Sequence, residues 1–368
     1  GWLAQVAERA AIDAWRRRRR APPLPTHEDE GSGGDEDRQL IPDDRLRHFF
    51  IAAHPAIAVE SRAALILRLL AARPVETIAG AFLVSVDAMR QRLTRAKARI
   101  AAAGIPFTLP APSAWPERVE AILVALDVAH ASANADAALA SPETSGLRQT
   151  VLDLTELLAS LLPEEGEVAA QAAAVRLSEA RRPARIDAAG AFVPLSEQDS
   201  AHWNRQQIVE ALPYLRRAVR MAPQAPRTYQ ARLQAIWCGR RSLAEPPPWA
   251  AVRTLYDEML TIRDDPIIRI NRCVALAETE GPQAALAELG ALDPHNLGDF
   301  APYHAVLADC LARVGRISEA LPAYDRAIAL ASGAAERMFL VDRRRRLLDG
   351  RIKRANGNPR VRGTPDRC

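Results

Sequence analysis

The sequence predicts an all-α protein: a helix-turn-helix domain followed by a tetratricopeptide-like α-solenoid. Three observations carry this. Alanine and aliphatic residues dominate, while aromatics make up only 5% of the chain, a composition that favours helices over strands. A short helical pattern is separated only by "LVS" from a longer, basic one, the spacing of a helix-turn-helix. In the second half, Ala, Leu and Gly recur with a period near that of a tetratricopeptide repeat.

The 368 residues suffice for two or three domains and a sizeable core. The net charge is only +4, but it is unevenly placed. Arg16 to Arg20 form an unbroken run, "HEDEGSGGDED" is strongly acidic, and the chain is basic again from Arg343 onward. Such asymmetry points to a polyanionic partner more than the total does. Cys238, Cys273, Cys310 and Cys368 are widely spaced and form no C-x-x-C pair, which fits reduced thiols buried in helices. No apolar run approaches the ~20 residues needed to span a membrane, and no signal peptide opens the chain. The expectation is a cytoplasmic protein. Gly1 stands on what reads as mid-helix, which suggests an N-terminus cut relative to an ancestral domain.

Taken in order, residues 2–20 read as one helix, with Leu3, Val6, Ala10 and Ile12 on a rough apolar side and the Arg run at its end. "APPLP" stops it, because proline lacks the amide donor and clashes in a helix interior. Residues 21–42, rich in Pro, Gly and acids, read as a disordered linker. Order returns at Asp43. "DDRLRHFFIAAH" starts with two acids suited to a helix N-terminus and ends before Pro55. "ESRAALILRLLA" makes a second helix, with Leu65, Ile66 and Leu69 on one side. Pro74 opens the third, "PVETIAGAFL", at a position where its missing donor costs nothing. Ser85 caps the fourth, and Asp87 lies in its first turn.

The fourth helix, "SVDAMRQRLTRAKARI", carries five basic residues and one acid. At about 100° per residue, Val86, Met89, Leu93, Ala96 and Ile100 fall on one stripe. Arg92, Arg95 and Arg99 fall on another, with Ala88 a turn before them. One side faces a core and the neighbouring side is cationic, the arrangement a groove-reading helix needs. A solvated basic face would show the same charges; the tight turn and the preceding short helix favour nucleic acid.

After Gly104 a proline-studded connector, "IPFTLPAPSAWP", leads into Ala- and Leu-rich helices up to about Asp349, a helical extension over 105–350. Within "YHAVLADCLARVGRISEALPAYDRAIAL", Leu307, Ala308, Leu311, Gly315, Ala320, Tyr324 and Ala327 match tetratricopeptide spacing. Small residues let paired helices approach, and the Gly makes the turn. Weaker copies start at Ala211 and Ala285, and a still weaker one at Ala251. Successive spacings of 40, 34 and 35 residues surround the repeat's period of about 34. Residues 351–368 read as a disordered basic tail.

The motifs in combination resemble the extracytoplasmic-function (ECF) sigma factors of bacterial RNA polymerase, in the subgroup with a tetratricopeptide-like C-terminal extension. "DDRLRHFFIAAHPAI", "LILRLL", "TIAGAFLVSVDAMRQRLTRAKARI" and "AGIPF" follow that family's region four over residues 43–104. "EARRPARIDAAGAFVPLSEQDSAHWN", "INRCVALAETEGPQAAL" and "AERMFL" match its extension. "GWLAQVAERAAIDAWRRRRR" resembles the last helix of region two, with the rest of that region absent and Ala52 and Ala53 where the family has a Cys pair. The resemblance implies a non-enzymatic factor that directs core RNA polymerase to promoters. Its fourth helix would lie in the major groove of the −35 element, with Ser85, Asp87, Ala88, Arg90, Arg92, Arg95 and Arg99 as the DNA-contacting set. The extension would modulate activity, through an intramolecular contact for which "RRPAR" and Trp203 are the candidates.

An enzyme is disfavoured. There is no G-x-x-x-x-G-K-[ST] and no G-x-S-x-G, and the histidines show no i, i+4 pairing with acids that would suggest a metal. No cofactor is expected. The alternative is a tetratricopeptide-type interaction scaffold with a vestigial DNA-binding domain. Salt separates the two, because cations on phosphates release counterions. On the sigma reading, residues 43–104 alone are expected to bind duplex DNA.

Overall fold

The computed structural model describes residues 44–356 apart from 55, 70–72, 82–83, 104–111, 136–141, 189–191, 293–296, 298–299 and 332–333. The expected helix over 2–20 and linker over 21–42 lie outside the described residues. Those described form fifteen α-helices and no β-strand. They divide into two compact units, one of residues 44–186 and 193–248, the other of 187–192 and 249–356.

The first unit begins with the four expected helices, α1 (Asp44–Ala52), α2 (Val59–Leu69), α3 (Val75–Ala81) and α4 (Val86–Ala102). It continues with α5 (Trp115–Ala135), α6 (Pro142–Leu161), α7 (Gly166–Ala180), α8 (Arg205–Met221) and α9 (Pro226–Cys238). Composition changes at 104/105, but packing does not stop there. Phe49 and Phe50 of α1, Leu65 and Ile66 of α2, Ile78 of α3 and Met89 of α4 share one core with Ile122 and Leu126 of α5, Leu158 of α6 and Val175 of α7. Helix α5 packs on α1, α2 and α3. The Phe50 and Trp115 rings lie 5.2 Å apart. Polar ties follow the same seam: Arg62 pairs with Glu117 at 3.5 Å, and Arg118 donates to the Phe50 carbonyl at 3.4 Å. Each fully buried side chain of this kind contributes about 1.5–3 kcal/mol.

Small residues let α7 and α8 approach closely. Ala169 and Ala170 of α7 meet Ala218 of α8, and a Cβ on Gly166 would sit 2.6 Å from the Ala222 Cβ. The expected repeat copy at Ala211 is borne out in burial, since Ala211 and Ala218 are both 0% exposed.

A buried polar layer ties α5, α7 and α9 together. Arg227 of α9 donates to Glu120 at 2.8 Å, to Glu167 at 2.9 Å and to Asp127 at 3.1 Å. Burial works against the Arg227 charge, yet three carboxylates hold its pKa above the ordinary value. Burial pushes the Asp127 carboxyl up, against the pull of Arg227. On the same α5, His130 Nε2 lies 3.2 Å from Ser178 Oγ. Burial, with the nearby Arg185 charge, lowers its pKa from 6.5 to about 3. Below pH 6.5 the unfolded chain therefore gains a proton that the folded chain does not, so stability falls as pH drops toward 3. The limit is about 1.4 kcal/mol per pH unit. Urea unfolding of His130→Asn at pH 7 and pH 5 should show a smaller acid loss than wild type, by about 1–2 kcal/mol; equal losses would rule the histidine out as the cause.

The second unit contains α10 (Trp249–Ile262), α11 (Pro266–Thr279), α12 (Pro282–Gly290), α13 (Ala301–Arg313), α14 (Ile317–Leu330) and α15 (Ala334–Asn356). Each helix packs against the next, the nearest-neighbour arrangement of a solenoid. Gly315 turns the chain between α13 and α14 at φ 82°, and Gly281 between α11 and α12 at φ 96°, a backbone region glycine enters without steric cost. Ala308, Ala320 and Ala327 are 0% exposed and Tyr324 is buried, as the repeat spacing requires. The Ala285 copy is buried too. Of the copy pairing Ala251 with Leu255, only Leu255 is buried: Ala251 is exposed, and α10 buries Val252 and Tyr256 beside Leu255. Burial pushes the Cys273 and Cys310 thiols up to about 12, and both are free and buried. The expected tail from 351 differs at its start, because α15 runs on to Asn356; residues 357–368 lie outside the described set.

Candidate nucleic-acid interface

Helix α3 starts directly after Pro74, whose carbonyl accepts from the Ile78 amide at 3.2 Å. The next helix starts at Val86. Ser85 adopts extended backbone at its N-cap (φ −67°, ψ 153°), and its Oγ accepts from the Ala88 N–H at 3.2 Å. That bond satisfies one of the amides a helix start leaves unpaired. Asp87 in the first turn complements the positive end of the helix dipole.

The apolar stripe lies where its period places it. Met89, Leu93 and Ala96 are buried, and Val86 and Ile100 pack half-buried against the same core. This anchors α4 on α2 and α3. Its other sides face solvent: Ser85, Asp87, Ala88, Arg90, Arg95, Lys97 and Arg99 are exposed, and Arg92 is half-buried. At about 100° per residue, Ala88, Arg92, Arg95 and Arg99 share one flank within roughly 60°.

Arg90 stands apart from them. It lies on the opposite flank, donating to Glu76 of α3 at 3.0 Å and to Asp87 at 3.2 Å. It joins the two helices of the motif, and Asp87 is engaged by the same pair. Arg95 is held only loosely, its Nε donating to the Gln91 carbonyl at 3.4 Å. Gln91, exposed between the two flanks, was not among the residues singled out from sequence. A full helical wheel places it on the outer face, and glutamine is an adenine-reading side chain.

The "RRPAR" loop is only partly exposed, at Arg182 and Pro183. Arg181 and Arg185 are buried, Trp203 is buried, and Arg182 bonds Glu179 at 3.1 Å. The extension meets the first four helices through α5, as above, and through α6, where Thr150 Oγ1 is 3.4 Å from Arg73 Nη2. No helix among the described residues is long and apolar enough to cross a membrane.

These features define an all-α protein that presents a basic, apolar-backed helix from a helix-turn-helix built into a larger helical core. Residues 118–219 match a family of unknown function (DUF6596). Over 349 residues the chain is 36% identical to an uncharacterized protein of Rhizobium meliloti (strain 1021), an alignment covering 92% of this chain and 82% of that one. The chain belongs to one family with that protein. The crystal structure of yeast Tom70 aligns with a TM-score of 0.38 at 13% identity, covering 95% of this chain and 70% of Tom70.

Proposed function

We propose that the chain is a promoter-recognition factor of the ECF sigma type, with α4 entering the major groove of the −35 element. The observation that carries this reading is the flank of Arg92, Arg95 and Arg99 on a helix whose back is anchored by Met89, Leu93 and Ala96. The sequence resemblance over region four supplies the target. Most of these arginines would hold phosphates, which position the protein without reading sequence. A bidentate arginine–guanine contact, worth about 1–3 kcal/mol of discrimination, would come from the N-terminal half of the helix. Core RNA polymerase performs the chemistry. Arg90, committed to Glu76, orients α3 against α4 and is a positioning residue.

Fluorescence anisotropy of the full chain with a labelled duplex tests the reading. The logarithm of affinity should fall linearly with the logarithm of salt, and Arg95→Ala or Arg99→Ala should flatten that slope by about 0.9 each. Flat, salt-insensitive binding would exclude it. A second reading, an interaction scaffold, is favoured by a cleft of about 510 Å³ in the second unit, lined by Leu286, Tyr303, Leu307, Leu311, Pro322 and Arg326. Its volume lies in the range of ligand pockets. Salt-insensitive DNA binding would move the proposal there.

A further inference from the structure

We infer that the turns at Arg182–Ala184 and over residues 195–203, between α7 and α8, together with the C-terminal end of α9, form a binding site for a small tetrahedral oxyanion such as a phosphoryl group. Glu179, the buried acid at this end of α7, is taken by Arg182 and Arg148, and the cations beyond it call for an anion. Arg181 caps α7 and is 4% exposed. It bonds Gln234 and touches the Cys238 thiol. Arg205 lies over the Trp203 ring at 5.8 Å and donates to the Arg240 and Arg241 carbonyls at 3.4 and 3.3 Å. Arg240 is buried and donates to the carbonyls of Ser196, Leu243 and Glu245 at 2.6, 3.0 and 2.9 Å. The partners of these three guanidiniums are all neutral.

Two other partly buried arginines of this unit are matched by acids. Arg227 has three carboxylates, and Arg176 has Glu156 and Glu210. A buried cation without a counter-charge is strongly unfavourable. The region also has orphan donors. Arg181 Nε, Trp203 Nε1 and Ser200 Oγ are buried without a hydrogen-bond partner. Their residues lie at one end of α7, where the Arg182–Ala184 turn packs on the Ser200–His202 turn and the Asn204 N–H donates to the Ala180 carbonyl at 2.8 Å. Gln198 Oε1, an orphan acceptor in the same loop, would take the hydrogen of a protonated oxyanion. Several N–H and O–H donors beside a positive charge fit an ion with several oxygens, as the guanidinium fork does, better than a halide. Arg205 and Arg241 are exposed at the rim.

The test is thermal unfolding of the full chain in sodium chloride and in sodium phosphate or sulfate at equal ionic strength. The oxyanion should raise the midpoint saturably, on the order of 5–10 °C at a hundredfold excess over Kd. Arg181→Met should lose this rise, while in chloride alone its midpoint should hold or increase, because an uncompensated buried charge has gone. Ser200→Ala and Trp203→Phe should weaken the rise, and they keep the test decisive if Arg181→Met fails to fold. Arg95→Ala in α4 should retain it. An equal rise in wild type and Arg181→Met would reveal general salting and overturn the site. So would a rise that does not saturate, or one lost with Arg95→Ala.

Discussion

A fragment of residues 43–103 will not fold cooperatively, although it holds every helix of the helix-turn-helix. Its core is completed from outside. Val119, Ile122, Leu123 and Leu126 of α5 belong to the cluster that buries Phe50, Leu65 and Ile78. Trp115 stacks near Phe50, and Glu117 neutralises the buried Arg62. Removing those four aliphatic side chains alone forfeits about 6–12 kcal/mol of burial, comparable with the 5–15 kcal/mol total stability of a typical domain. A fragment of roughly 60 residues has little margin to absorb that loss. Thermal circular dichroism of fragments 43–103, 43–135 and 43–180 should show a cooperative transition only when α5 to α7 are present. A sharp transition in the shortest one would refute the shared core. If the proposed function holds, DNA binding is therefore expected of the full chain rather than of residues 43–104 alone.

Arg227→Ala is expected to destabilise the first unit by about 3–5 kcal/mol, the cost of leaving a buried charge uncompensated. Asp127 carries most of it, with a side chain 16% exposed, whereas Glu120 and Glu167 are 42% and 38% exposed and can turn to water. Arg227→Lys should not restore the loss, because an ammonium lacks the fork that reaches three carboxylates. Adding Asp127→Asn to Arg227→Ala should recover part of it, since the orphaned charge is then gone. The pH dependence has a definite sign. Without Arg227, burial raises the Asp127 carboxyl further, so the variant is weakest where the unfolded carboxylate is ionised and recovers as pH falls. Urea unfolding between pH 8 and pH 5 measures this; a loss below about 1 kcal/mol at pH 8 would show that the ion cluster contributes little.

Helix α4 was legible because its stripe is local. Met89, Leu93 and Ala96 are spaced to share a face whatever they pack against, and Ser85 caps its own helix. The last repeat was legible for the same reason, through Gly315 and the Ala308–Ala320–Ala327 spacing. Ala251 was misread because a small residue at the right interval says nothing about what faces it. Arg90 is among the residues expected from sequence to contact DNA; its ion pair with Glu76, on another helix, is not readable from local spacing.

By its own pattern the sequence determined the helices, their starts and the apolar side of α4, since capping and 3.6-residue periodicity act within a few residues. Only tertiary structure decided which arginines are buried and where the core ends. Arg62, Arg181 and Arg227 read in sequence like solvated charges. Each is withdrawn from water by a residue about 50 to 110 positions away in the chain. Charge burial is set by the company an element keeps after folding, and that company is not encoded in any local repeat.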